Sequence, residues 1–159
     1  MKVKDVMTPE PKAIWITESL AEAAREMWEN DCGVLPIIKD GRKVIGIITD
    51  RDICMAAAMR DRTPSSISVE EVMSGNIYSA APEEDVTHAL KLMREHKIRR
   101  LPVVNDAGEL EGILSMNDIV LKVKARNGKK PEIDYTDVVR TYQGICEHPV
   151  PMTQPATAT

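Results

Sequence analysis

The sequence predicts an α+β protein made of two tandem β-α-β-β-α units, packed pseudo-symmetrically and followed by one C-terminal helix. Three observations predict it. The chain repeats itself without a gap at an offset of 66 residues, pairing Val6-Met7 with Val72-Met73, Leu35-Pro36 with Leu101-Pro102, Gly46-Ile47 with Gly112-Ile113 and Asp52-Ile53 with Asp118-Ile119. Conservative pairs such as Leu20 with Val86, Ile37 with Val103 and Thr49 with Ser115 keep that register, and a repeat this regular sets the architecture. Within each copy, apolar residues at helical spacing alternate with short apolar runs bounded by turn residues. Finally, 43% hydrophobic and 29% charged residues indicate a globular chain, yet Phe is absent, so aliphatic side chains and nine Met must fill small, tightly layered cores.

The elements follow in order. A short extended segment at residues 13–16, or 78–80 in the second copy, precedes a helix. Its apolar positions are Leu20, Ala23, Ala24 and Met27 in the first copy and Val86, Ala89, Leu90 and Met93 in the second. Ser19 with Glu22 forms a capping box for the first of these helices, and Asp85 caps the second. Two strands then meet in hairpin turns at Asp40-Gly41 and at Asn105-Asp106-Ala107-Gly108. A last helix closes each copy, over residues 50–59 and 116–124. The polar link at residues 61–68 is too short to part the units, which gives repeats at 1–66 and 67–126. In residues 127–159, the stretch 126–131 breaks the helix, Tyr135, Val138, Tyr142 and Ile145 define the docking face of a further helix, and the tail from Pro149 is expected to be disordered.

Charge excludes some functions. A formal net charge of −4 speaks against a nucleic-acid partner, which needs a basic surface. No apolar run approaches the ~20 residues of a membrane span, and the opening Met1-Lys2-Val3-Lys4-Asp5 lacks a secretory apolar stretch, so a cytoplasmic protein with no membrane partner is expected. Cys32, Cys54 and Cys146 have no CxxC spacing and read as buried reduced thiols rather than a disulfide framework or zinc site. His88 and His96 are two turns apart and about 80° around one helix, which reads as solvated surface rather than a metal site. No GxSxG, phosphate-binding loop or Cys/His pairing is present, so no catalytic residue is assigned.

Both copies end their second strand on a Gly-apolar-apolar-[Thr/Ser]-x-x-Asp run: residues 46–52 and 112–118. With Val-Met at the head of each copy and Leu-Pro in its middle, these runs resemble the signature of CBS domains, and the resemblance covers nearly all of residues 3–124. It implies a non-catalytic, regulatory adenine-nucleotide sensor. In that family the Asp anchors ribose, the Thr or Ser lies near ribose or phosphate, and backbone ahead of Leu-Pro reads the adenine edge. Carried over by position, these residues are Asp52, Thr49 and Val34 in the first site and Asp118, Ser115 and Arg100 in the second. Arg99-Arg100 resemble the basic residues with which some CBS domains grip phosphate, which implies a second site better equipped for phosphate. Arg51 opposes the helix dipole, so it calls for either a phosphate or a surface carboxylate.

The same residues have a simpler reading, because [Thr/Ser]-x-x-Asp before an apolar helix is also a capping box, worth about 0.5 to 2 kcal/mol. The functional chemistry is direct as well: a helix N-terminus favours phosphate, and a carboxylate can accept both hydroxyls of a ribose diol. AMP, ADP and ATP fit, as do NAD or S-adenosyl compounds, and no other cofactor is required. The alternative is a structural or protein-interaction module with empty ligand sites. In either case Met27, Trp28, Met55, Met59 and Ala56-Ala57-Ala58 predict helices with apolar surface to spare, hence a homodimer and an unidentified regulated partner.

Overall fold

The computed structural model describes residues 1–73, 75–122 and 133–147. It shows an α+β architecture of two three-stranded sheets. Strands β1 (Thr8–Pro9) and β2 (Ile14–Trp15) precede helix α1 (Leu20–Glu29). Strands β3 (Val34–Lys39) and β4 (Lys43–Thr49) lead into α2 (Asp50–Met59). The second copy supplies α3 (Val86–His96), β5 (Arg100–Val104), β6 (Leu110–Ser115) and α4 (Met116–Lys122), and α5 (Tyr135–Cys146) follows. The expected helix break at 126–131, the last two residues of the helix expected over 116–124 and the tail from 149 lie outside the described residues.

Local chemistry accounts for these elements. Ser19 and Glu22 cap α1 reciprocally, the Ser19 N–H donating to Glu22 Oε2 at 2.8 Å and the Glu22 N–H to Ser19 Oγ at 3.3 Å. At α3 the Asp85 carboxylate accepts from the Thr87 N–H at 2.9 Å and from its hydroxyl at 2.7 Å, and these bonds hold the carboxyl below its ordinary range. The hairpin turns use Gly41 and Gly108 at φ +70° and +78°, a region that residues with a Cβ rarely adopt. Both hairpins carry an irregularity at the same repeat position, between Ile37 and Ile38 and between Val103 and Val104.

The two copies are not sealed units. Buried side chains form one cluster under each sheet, and the heads of the repeats are exchanged between them. Val3 and Val6 pack with Val86, Leu90, Leu101 and Leu114 of the second copy, while Ile67 and Val69 pack with Leu20, Leu35 and Ile48 of the first. The backbone follows: β1 pairs antiparallel with β6, so the second sheet runs β1-β6-β5, and the first runs β2-β3-β4. In the second copy the segment expected at 78–80 is reduced to one parallel bridge, Ala80 to Val103, and β1 pairs on the opposite edge of that sheet. The hairpin ends meet as well, through Val44 N–H to Gly108 O at 3.0 Å and Leu110 N–H to Arg42 O at 3.1 Å.

Helix α5 docks on α3 through Val138, Tyr142 and Ile145 of the expected face, with Thr141 added and Tyr135 left out. Val138 and Thr141 are buried and Tyr142 and Ile145 lie against the second cluster, whereas Tyr135 is 49% exposed. Small residues set the close approach. Thr141 satisfies its hydroxyl by donating to Asp137 O at 2.7 Å, and Gly144 lets the helix approach so closely that a Cβ there would stand 2.5 Å from Arg94 Cγ. The repeat partner of Arg94 is Trp28 on α1, which no α5 covers and which is 88% exposed. Met27 and Ala56, expected on the outer face, belong instead to the first core. Cys54 and Cys146 are exposed rather than buried, Cys54 because it projects from the outer side of α2.

Candidate functional site

The two signature runs end at helix starts, and both capping boxes form. Asp52 Oδ2 accepts from the Thr49 N–H at 2.9 Å and from Thr49 Oγ1 at 2.7 Å. Asp118 Oδ2 accepts from the Ser115 N–H at 2.8 Å and from Ser115 Oγ at 2.6 Å. One oxygen of each carboxylate is thus spent on the cap. The second oxygen of Asp118 receives only a long contact from Thr8 Oγ1 at 3.4 Å, and that of Asp52 has no hydrogen-bond donor among the described residues. Capping and ligand acceptance are therefore compatible within one carboxylate.

Each run faces a cleft completed by the other repeat. The first cleft, about 510 Å³, sets Thr49, Asp50 and Arg51 against Asn76, Tyr78 and the segment Lys97–Arg100. The second, about 550 Å³, sets Ser115, Asn117 and Asp118 against Thr8, Glu10, Lys12 and the segment Asp31–Val34. Most positions of the two walls are repeat equivalents, and Val34 and Arg100, at the starts of β3 and β5, line both.

This geometry redistributes the residues read from sequence. Arg99, expected beside Ser115 and Asp118, walls the first cleft with Thr49 and Arg51, because the chain ahead of β5 faces across the molecule rather than toward its own helix. Arg100 serves both clefts. Asp118 lines the second cleft, whereas Asp52 stands behind Thr49 and is not on the first cleft's wall. The first cleft is consequently the more basic one, whereas the sequence placed the basic residues with the second.

The start of α2 also differs from the expected anion site. Its leading N–H groups already have partners: Asp50 N–H donates to Gly33 O at 3.4 Å, Arg51 N–H to Asp50 Oδ1 at 2.8 Å and Asp52 N–H to Thr49 Oγ1 at 3.3 Å. The positive charge that this cleft offers comes from side chains instead. Arg51 opposes the helix dipole, yet no carboxylate pairs with its guanidinium among the described residues, and the same holds for Arg99 and Arg100.

Several wall residues escaped the sequence reading. Tyr78 stacks on His96 with ring centroids 3.6 Å apart and planes 17° from parallel, so His96, exposed as expected, also backs a cleft residue. Lys97, with φ +55° as the α3 C-cap, donates to Glu147 O at 2.7 Å and ties that wall to the end of α5. The signal for these residues was the 66-residue offset itself, since Asn76, Tyr78 and Lys97 are the repeat partners of Glu10, Lys12 and Asp31. Among the described residues no cluster of three or more His, Cys, Asp or Glu could hold a metal ion, and no helix is long and apolar enough to cross a membrane.

Comparison with known proteins matches the CBS domain model to residues 3–58 and 69–125. The uncharacterised protein MK0525 of Methanopyrus kandleri is 35% identical over 117 residues, which span 74% of this chain and 57% of that protein. The CBS domain pair of protein MJ0100, solved in complex with 5′-methylthioadenosine and S-adenosyl-L-methionine, is 31% identical. It aligns with a TM-score of 0.68 over 76% of this chain and 94% of its own. CBSX2, solved in complex with AMP, is 26% identical with a TM-score of 0.65, over 76% of this chain and 93% of its own.

Proposed function

Since the chain belongs to the CBS domain family and carries two copies of its unit, we propose that it is a non-catalytic regulatory module that senses an adenosine-containing ligand in the clefts between its repeats. The observation that carries this reading is the pair of repeat-equivalent clefts, each walled by both copies and each reached by a [Thr/Ser]-x-x-Asp run. Asp118 offers its second carboxylate oxygen to a ribose hydroxyl in the second cleft, and unpaired guanidinium groups offer phosphate contacts in the first. The related pairs solved with AMP and with S-adenosyl-L-methionine and 5′-methylthioadenosine support adenosine as the shared element.

A thermal-shift panel of AMP, ADP, ATP, NAD, S-adenosylmethionine and 5′-methylthioadenosine tests the proposal. A ligand at 100 times its Kd adds about 2.7 kcal/mol, which for a chain of this size raises Tm by roughly 5 to 10 °C. If none of the panel moves Tm, the clefts are empty by nature and the chain is an interaction module.

That second reading has its own observation. Trp28, Met59 and Leu121 are 88%, 75% and 74% exposed on α1, α2 and α4. Singly such residues need no explanation, but three on the outer helices favour a covering partner. We assign that role first to a second copy of the chain, whose isologous contact would leave a regulated protein to read the assembled face. Sedimentation is expected to give the mass of a dimer, with Trp28→Glu shifting it toward monomer. A wild-type monomer at micromolar concentration contradicts the assignment.

A further inference from the structure

The clefts are equivalent in backbone and unequal in charge. The first presents Arg51, Lys97, Arg99 and Arg100 against the single carboxylate of Asp50, whereas the second presents Glu10, Asp31 and Asp118 against Lys12 and Arg100. Arg100 is common to both and discriminates nothing. The difference arises position by position: Asn76 is replaced by Glu10, Lys97 by Asp31, Arg99 by Gly33 and Arg51 by Asn117. At all four positions the change is toward negative charge. Two positions run the other way, Lys12 in place of Tyr78 and the buried Met116 in place of Asp50, and they do not outweigh the four.

Resting on the adenosine reading above, we propose that the two clefts divide their ligands by charge. The first takes a phosphate-bearing adenine nucleotide, and the second takes an adenosyl compound without phosphate, favouring one with a cationic group. In the first cleft the phosphate meets guanidinium groups that pair with no carboxylate among the described residues, with Asp50 the one acid on the wall. A polyphosphate entering the second cleft meets three carboxylates, and like charges at close range disfavour it. An adenosine sulfonium instead brings the same ribose diol to Asp118 and a positive charge to Glu10 and Asp31.

Calorimetric titration of the full chain with ATP, with S-adenosylmethionine and with adenosine tests the division. The expected result is one ATP and one S-adenosylmethionine per chain, bound without competition. Arg51→Asn with Arg99→Gln should weaken ATP by about tenfold or more and move adenosine by less than about threefold. Glu10→Asn with Asp31→Lys should raise ATP from one site toward two and weaken S-adenosylmethionine. These substitutions suit the backbone, because Glu10 and Asp31 sit at φ +47° and +48°, where Asn is tolerated and where the partner Lys97 already stands at +55°. Two equal ATP sites in the wild type, competition between the two ligands, or unchanged ATP affinity in the arginine variant overturns the division. Absence of binding by all three ligands overturns the adenosine reading itself and the division with it.

Discussion

Removing residues 1–7 is expected to destabilise the second repeat by several kcal/mol rather than trim a loose terminus. Val3 and Val6 are 0% and 3% exposed, packed among Val86, Leu101 and Leu114 of the other copy. Burying a valine fully is worth about 1.5 to 3 kcal/mol, so the pair contributes up to about 3 to 6 kcal/mol, against a total stability on the order of 5 to 15 kcal/mol. Backbone bonds are lost too, among them Val3 N–H to Glu84 O at 2.9 Å and Lys4 N–H to Pro82 O at 3.0 Å, and the anchor just ahead of β1 goes with them. Urea unfolding of the shortened chain should show its midpoint far below that of the full chain, or no cooperative transition. Val3→Ala should show a smaller loss, about 1.5 to 3 kcal/mol, as should Val69→Ala at the equivalent place in the first core. An unchanged midpoint after the deletion contradicts the exchange of heads.

The sequence made the repeat, its helices, its hairpins and its caps legible because each depends on local spacing. Apolar residues three and four apart fix a helix face, and Ser19 with Glu22 or Thr49 with Asp52 fixes its start, wherever the rest of the chain goes. What the sequence left open is which copy each segment serves. Val3 and Val69 occupy equivalent places in the repeat, and nothing local tells which core receives either one. The same blindness set Arg99 beside Ser115 and Asp118, since it is near them in the repeat, when the chain ahead of β5 faces the opposite cleft. On the α5 face Tyr135 alone departs from the expectation, for a different reason. Hydrophobicity pointed to Tyr135, but close approach to α3 is governed by the small residues Thr141 and Gly144.

The ribose anchors carry the largest functional effect. Losing an acceptor for hydrogen bonds from a bound ribose costs about 1.5 to 3 kcal/mol, or roughly 10- to 150-fold in Kd. Alanine would remove the cap as well and confuse the two roles, at about 1 kcal/mol of stability per helix. Asparagine separates them. Its single carbonyl oxygen can keep the cap that Oδ2 now makes with Thr49 or Ser115, while the outward oxygen becomes an amide that donates instead of accepting. Asp118→Asn should have the stronger effect of the two, because Asp118 is on the wall of its cleft and Asp52 stands behind Thr49.

Asp118, on the wall of its cleft, is proposed to hold an adenosine-containing ligand as well as to cap its helix, with Asp52 supporting one from behind Thr49. Calorimetric titration of the Asp52→Asn, Asp118→Asn double variant beside the wild type, with ATP and with S-adenosylmethionine, tests it most directly. The variant is expected to melt within a few degrees of the wild type and to bind at least one of the two ligands about tenfold or more weakly. Wild-type affinity for both ligands in a fully folded double variant contradicts it and leaves the aspartates as caps.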